Sequence, residues 1–167
     1  MRNDVAVHIR YLGRRIDLLT AEAVAVIRSD ATLQRAFDRL TSVRGIATAS
    51  AVQLLPELLA LPADMTVRQW VAYAGLDPRP SQSGTSVNKP VHISKVRNAH
   101  IPRALFMPAL VATQHEPRVK AFFEHLVARG KTPLQAYVAV MRKLLHAIYG
   151  MFKTNTACIP EKFYATG

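Results

Sequence analysis

Over most of this chain, apolar residues recur at spacings of three and four, the spacing that keeps one face of an α-helix apolar. The first stripe is Val5, Ile9, Leu12, Ile16, Leu19, Ala23 and Ile27, which predicts a helix over residues 4–28. Arg10, Arg14, Arg15 and Arg28 share that segment. Two readings of it stand: an arm that packs on a partner chain or another domain, and an ordinary core helix. Leu33, Phe37 and Leu40 continue the pattern behind Asp30, a helix-capping residue type. Over residues 40–58 a helix, a turn at Arg44-Gly45-Ile46 and a second helix have the outline of a helix-hairpin-helix. In such a hairpin the backbone N–H groups opening the second helix meet a phosphate. Ala47 stands where such hairpins usually carry a second glycine, so a plain helical corner is the other reading.

Further along, Thr66 opens a helix with Val67, Trp70, Val71 and Ala74 inward and Gly75 as its stop. Residues 77–98, DPRPSQSGTSVNKPVHISKVRN, show no helical period and no convincing strand pair, and read as a long loop. Loops of that length in a compact domain tend to be functional or disordered. Asn98 marks the start of the next helix, with Pro102 placed where a first turn tolerates it. His115-Glu116-Pro117 breaks that helix, another runs over 118–128, and Arg129-Gly130-Lys131 closes it. Thr132-Pro133 then opens a long helix through about Met151. Trp70, Phe122, Phe123, Tyr137, Tyr149 and Phe152 fall at helical spacings and read as core. The expected fold is all-α: a compact helical domain over 31–153 with a helix-hairpin-helix-like element and a long basic loop. A helical arm or connector precedes it over 1–30, and an irregular tail follows over 154–167.

Charge narrows the class of partner. The 167 residues hold 22 Lys and Arg against 11 Asp and Glu, a formal charge of +11. A folded domain that basic usually handles a polyanion, and nucleic acid is the commonest. No apolar run is long enough to span a membrane, and the start does not read as a secretory signal. Cys158, the single cysteine, has no internal disulfide partner and argues against a structural zinc site. A reduced, cytoplasmic setting is therefore expected, with no metal site in this chain. The acidic residues are scattered without the pairing that a two-metal nuclease needs.

The positive charge is concentrated. From Pro78 to His115 there is no acidic residue, while Arg79, Lys89, Lys95, Arg97 and Arg103 supply cations. Ser81, Ser83, Gly84, Thr85, Ser86 and Ser94 lie among them. Small hydroxyl residues and a glycine between cations suit a contact that follows a phosphate backbone; a solvated charged face is the plain alternative. A serine hydroxyl can also attack a phosphodiester, given a base, a metal or strong stabilisation of the developing charge. Composition does not choose among these serines.

The succession LTSVRGIATASAVQLL, RQWVAYAGLDPRPSQSGT, HISKVRN and RALFMPALVATQHEPRVKAFFEHLVARGKTPLQAYVAVMRKLLHAIYGMF resembles the C-terminal domain of DEDD-type insertion-sequence transposases, the IS110 or IS116 family. The likeness runs from Leu40 to Phe152, roughly two-thirds of the chain. It implies a DNA recombinase that assembles as an oligomer on a structured guide RNA. It also implies an N-terminal RuvC-like domain, absent from this chain, that holds four acidic residues and divalent metal, Mg²⁺ being expected. By the QSG motif the resemblance implies Ser83 as nucleophile, with Ser81, Ser86 and Ser94 as fallbacks. Arg79, Gly84, Lys89, Lys95, Arg97, Arg103, Arg44 and Gly45 are the expected nucleic-acid contacts. The chain departs from the family where Val96-Arg97 follows ISK in place of Arg-Gly, and where Ile101-Pro102 replaces Leu-Arg. Without the acidic domain the chain is expected not to cut DNA. A basic module that only binds nucleic acid, or one that oligomerises through residues 4–28, are the alternatives.

Overall fold

Each apolar stripe becomes a helix that stops where the sequence puts its breakers. A computed structural model of the chain describes residues 2–83, 87–93 and 98–156, with side chains over 4–77 and 98–156. The order is α1 (Arg2–Ser29), α2 (Ala31–Thr41), α3 (Thr48–Leu59), α4 (Val67–Tyr73), β1 (Pro78–Ser83), β2 (Val87–Ile93), α5 (His100–His115), α6 (Pro117–Ala128) and α7 (Pro133–Thr154).

Local capping explains most of the boundaries. The Asp30 carboxylate accepts from the N–H of Thr32 at 2.7 Å and of Leu33 at 3.0 Å. Those bonds, Leu33 first and Thr32 second, hold its pKa below the ordinary carboxylate value. Capping boxes open α4, between Thr66 and Gln69, and α7, between Thr132 and Gln135. Each satisfies backbone donors that the first helical turn leaves without partners. Gly75 and Gly130 take positive φ, 66° and 83°, where their helices end.

The helical class expected from the periodicity is what the chain adopts. The correction falls on residues 77–98, expected to form a loop without a strand pair. Within them β1 and β2 form an antiparallel hairpin, with Arg79 opposite His92, Ser81 opposite Lys89 and Ser83 opposite Val87. A register shift lies between Arg79 and Ser81. Two-stranded hairpins have only edge strands, so Pro80 and Pro90 are tolerated. The ladder rests on backbone hydrogen bonds, which leave no periodic trace when neither face must be apolar. The available signal was β-branched Val87, Val91 and Ile93 in β2.

α5 runs through the centre of the bundle and packs against α3, α6 and α7. Leu54 of α3, Ile101 and Leu105 of α5, and Leu144, Leu145 and Ile148 of α7 are fully buried. Trp70 packs edge-on against Tyr149, with ring centroids 5.2 Å apart, and against Phe152. The aromatics expected in the core are at least partly buried there. α1 behaves differently: Ile27 near its C-terminal end is buried, whereas Val5, Ile9, Leu12, Ile16 and Leu19 are 46–63% exposed. The described residues leave most of that stripe uncovered. Among the described residues no helix is long and apolar enough to cross a membrane.

Candidate nucleic-acid interface

The helices on either side of the hairpin, α4 and α5, are held to the body at defined points. Ahead of the hairpin the left-handed Gly75 turns the chain out of α4, and the Leu76 N–H donates to the Val71 carbonyl at 3.0 Å. The Leu76 side chain is buried. After the hairpin, Asn98 sits one residue ahead of the N-cap of α5. Its Oδ1 accepts from the N–H groups of His100 (2.7 Å) and Ile101 (3.2 Å). Its Nδ2 donates to a Glu57 carboxylate oxygen on α3 and to the Tyr73 hydroxyl at the end of α4, the latter at 3.2 Å. Glu57 and Tyr73 were not singled out from the sequence. Glu57 lies 41 residues from Asn98, and nothing local announces the pair.

Of the sequence-predicted site residues, Arg79, Ser81, Ser83 and Lys89 fall on the hairpin, and Ser83 ends β1. Residues directly opposite in an antiparallel pair lie about 4.5–5.5 Å apart at Cα, so the backbones of Ser81 and Lys89 are neighbours. Gly84, Ser86, Ser94, Lys95 and Arg97 lie outside the described residues, as does Cys158. Arg103 is exposed on the first turn of α5. It edges a shallow depression of about 380 Å³ with Gly75, Leu76, Phe106 and Leu134 among its walls. That places one further cation beside the point where the hairpin leaves the body.

Arg44 and Gly45 are not part of this group. The Arg44 guanidinium donates to the carbonyl of His115 at 3.0 Å, tying the α2–α3 turn to the last residue of α5. Gly45 has φ 98°, and a Cβ there would stand 2.6 Å from the Pro108 carbonyl oxygen. The glycine is therefore needed for close packing on α5, whatever else the turn does. At a rise of about 1.5 Å per residue, α5 separates Arg44's partner His115 from the hairpin base by roughly 20 Å. The first turn of α3 has no side-chain cap, and Ala47, Thr48 and Ala49 are exposed.

Among the described residues no group of three or more His, Cys, Asp or Glu side chains is placed to hold a metal ion. What the arrangement offers is a hairpin on an acid-free stretch that carries hydroxyl and cationic residue types, set between two helices of a packed body.

Residues 37–124, just over half of the chain and including both strands, match the family model described as Transposase IS116/IS110/IS902 family. The chain is 30% identical to proteins named pilin gene-inverting protein from Moraxella lacunata and Moraxella bovis. In each case the alignment spans 153 residues, 89% of this chain and 46% of the relative. It is 29% identical over 117 residues to the insertion element IS110 uncharacterized 43.6 kDa protein of Streptomyces coelicolor, covering 70% of this chain and 29% of that protein. The chain thus spans less than half the length of these curated relatives.

Proposed function

The chain belongs to the transposase IS116/IS110/IS902 family, and from that premise we propose that it is the DNA-contacting half of a recombinase active site, with Ser83 as its nucleophile. The observation that carries this reading is the hairpin. It gathers Ser83, Arg79 and Lys89 on one projecting element, within a stretch that holds no acidic residue from Pro78 to His115. In this reading the Ser83 Oγ attacks a strand phosphorus and the phosphorus–sugar oxygen bond breaks. The leaving oxygen takes up a proton, and the strand stays attached as a phosphoserine ester. The ester conserves the bond for rejoining to a new end.

A hydroxyl is a weak nucleophile: the cations of the hairpin would stabilise negative charge on the non-bridging phosphate oxygens, and the serine proton would pass to a base in the completing domain. The acidic residues and Mg²⁺ that complete the chemistry would come from an RuvC-like domain outside this chain, in an oligomer assembled on structured guide RNA. Two relatives are named for inverting a pilin gene, and inversion of a DNA segment requires cutting and rejoining, which supports the reading. The α2–α3 corner would join in as a helix-hairpin-helix contact, the N–H groups of α3 meeting phosphate while Arg44 and Gly45 hold the turn. Work on cellular DNA of this kind belongs in the cytoplasm.

The test is covalent trapping. With the chain joined to its acidic domain, wild type should form a protein–DNA adduct, and Ser83→Ala should lose it while still binding DNA. Persistence of the adduct in that variant overturns the assignment. A binding module without chemistry predicts no adduct from either protein. The 167-residue chain by itself should bind DNA and leave it uncut. Its log affinity should fall with log salt by about 0.9 for each phosphate neutralised, and a flat salt response would remove the charge argument.

A second reading is favoured by the exposed stripe of α1. A contiguous apolar surface rimmed by polar residues commonly marks an interaction site. Residues 1–30 would then be an arm seating on a second copy or on the acidic domain. Light scattering over a concentration series, with and without residues 1–30, separates self-association from a monomer.

A further inference from the structure

The hairpin matters to the proposed chemistry only if it is held in one orientation, and the side chains at its base form a clasp suited to that. Asn98 uses both ends of its amide. The Oδ1 accepts from the N–H groups of His100 and Ile101, which sets the start of α5. The Nδ2 donates to Glu57 on α3 and to the Tyr73 hydroxyl. Tyr73 ends α4, the helix before the hairpin, and Asn98 precedes α5, the helix after it. The amide therefore ties the end of α4 to the start of α5, the helices on either side of the hairpin, and Glu57 ties both to α3. Glu57 and Asn98 are half-buried, so the bond between them is partly shielded from water, and a hydrogen bond to a charged group is among the stronger kinds.

We infer that Asn98 is a positioning residue for strand cleavage, and that with Glu57 and Tyr73 it fixes the angle at which the hairpin presents Ser83. The inference rests on the Ser83 reading for its chemical consequence, and on the clasp alone for its structural one. A simple helix cap would need only the Oδ1 acceptor. A clasp also needs the Nδ2 donor and the Glu57 acceptor, and that difference makes it testable.

Asn98→Asp keeps the acceptor that serves α5, removes the donor, and sets a second carboxylate against Glu57. Glu57→Gln alone keeps an acceptor for Asn98. Combined, the two changes reverse the bond, with the amide introduced at position 57 donating to the carboxylate introduced at position 98. In the chain joined to its acidic domain, adduct yield should fall by about tenfold or more in Asn98→Asp, since small misplacements of a reacting group cost that much or more. It should fall less in Glu57→Gln, which keeps a neutral acceptor for the amide, and recover in the double variant. A cap-only role predicts no loss in Asn98→Asp.

Orientation can be read without chemistry in the full 167-residue chain. Spin labels go on Gln82→Cys in β1 and Gln53→Cys on α3, with Cys158→Ser to remove the native thiol. The distance distribution should broaden in Asn98→Asp and narrow again when Glu57→Gln is added, with circular dichroism reporting that each variant is folded. An unchanged distribution in Asn98→Asp overturns the clasp, as does failure of the folded double variant to restore it. Ser83→Ala is run alongside. If that variant still forms adducts, the nucleophile assignment fails by itself, and the clasp stands or falls on the distances.

Discussion

α1 and α7 are the two longest helices among the described residues, and they treat their apolar stripes in opposite ways. In α7, Val140, Met141, Leu144, Leu145, Ile148 and Met151 are buried against α4, α5 and α6. In α1, Val5, Ile9, Leu12, Ile16 and Leu19 face solvent, and contact with α2 and α3 places its C-terminal end, at Ile27, in the core. The residue types and the spacing are similar, so the difference lies in what each helix has beside it. An apolar stripe states that one face of a helix is to be covered. It does not state by what. In α7 the cover is the rest of the same domain; in α1 most of it has to come from elsewhere, or the stripe stays in water at a cost of about 25 cal/mol per Å².

Four measurements test this contrast. Leu145→Ala removes a fully buried α7 side chain and should cost about 2–5 kcal/mol in urea unfolding; a loss below about 1 kcal/mol would mean that α7 is not the core helix described. Gly45→Ala should cost roughly 1–3 kcal/mol, because the added Cβ meets the Pro108 carbonyl and the backbone there has positive φ. If the thermal midpoint does not move, the α2–α3 turn is not pressed on α5. His146 of α7 has its pKa lowered, first by burial and then by the Arg142 charge. The unfolded chain therefore takes up that proton at higher pH than the folded chain does. Stability should fall as pH drops below about 6.5, the ordinary histidine value, and level off once pH passes the lowered folded value. His146→Gln should flatten that part of the profile, and an unaltered profile would remove the effect. Ile16→Ala in α1 should change monomer stability by no more than about 0.5 kcal/mol. A loss on the scale of Leu145→Ala would show the arm to be covered by its own domain and end the comparison.

Much of this arrangement is written within a few residues of where it acts. Asp30, Thr66 and Thr132 announce helix starts because their side chains reach N–H groups two or three residues on. Gly75 and Gly130 announce stops because left-handed backbone favours glycine. The hairpin was less legible. Its strands carry proline and serine, and their pairing is by backbone, so neither face advertises itself. Arg44 and Gly45 were recognisable as a turn, but their partners on α5 lie more than sixty residues away. The turn was offered as a candidate phosphate contact or a plain helical corner, and the fold binds Arg44 to the last residue of α5. The Glu57–Asn98 bond had no local sign at all.

The helices, their ends, the basic acid-free stretch and, through the motif order, the resemblance to a transposase family can all be read along the sequence. Those properties depend on caps, periodicity and charge, which act over a turn or two or simply add along the chain. Which stripe is covered, which arginine is bound internally, and the meeting of Tyr73, Glu57 and Asn98 between α3, α4 and α5 emerge with tertiary packing. Such contacts join residues far apart in sequence, and they exist only once α5 has packed against its neighbours.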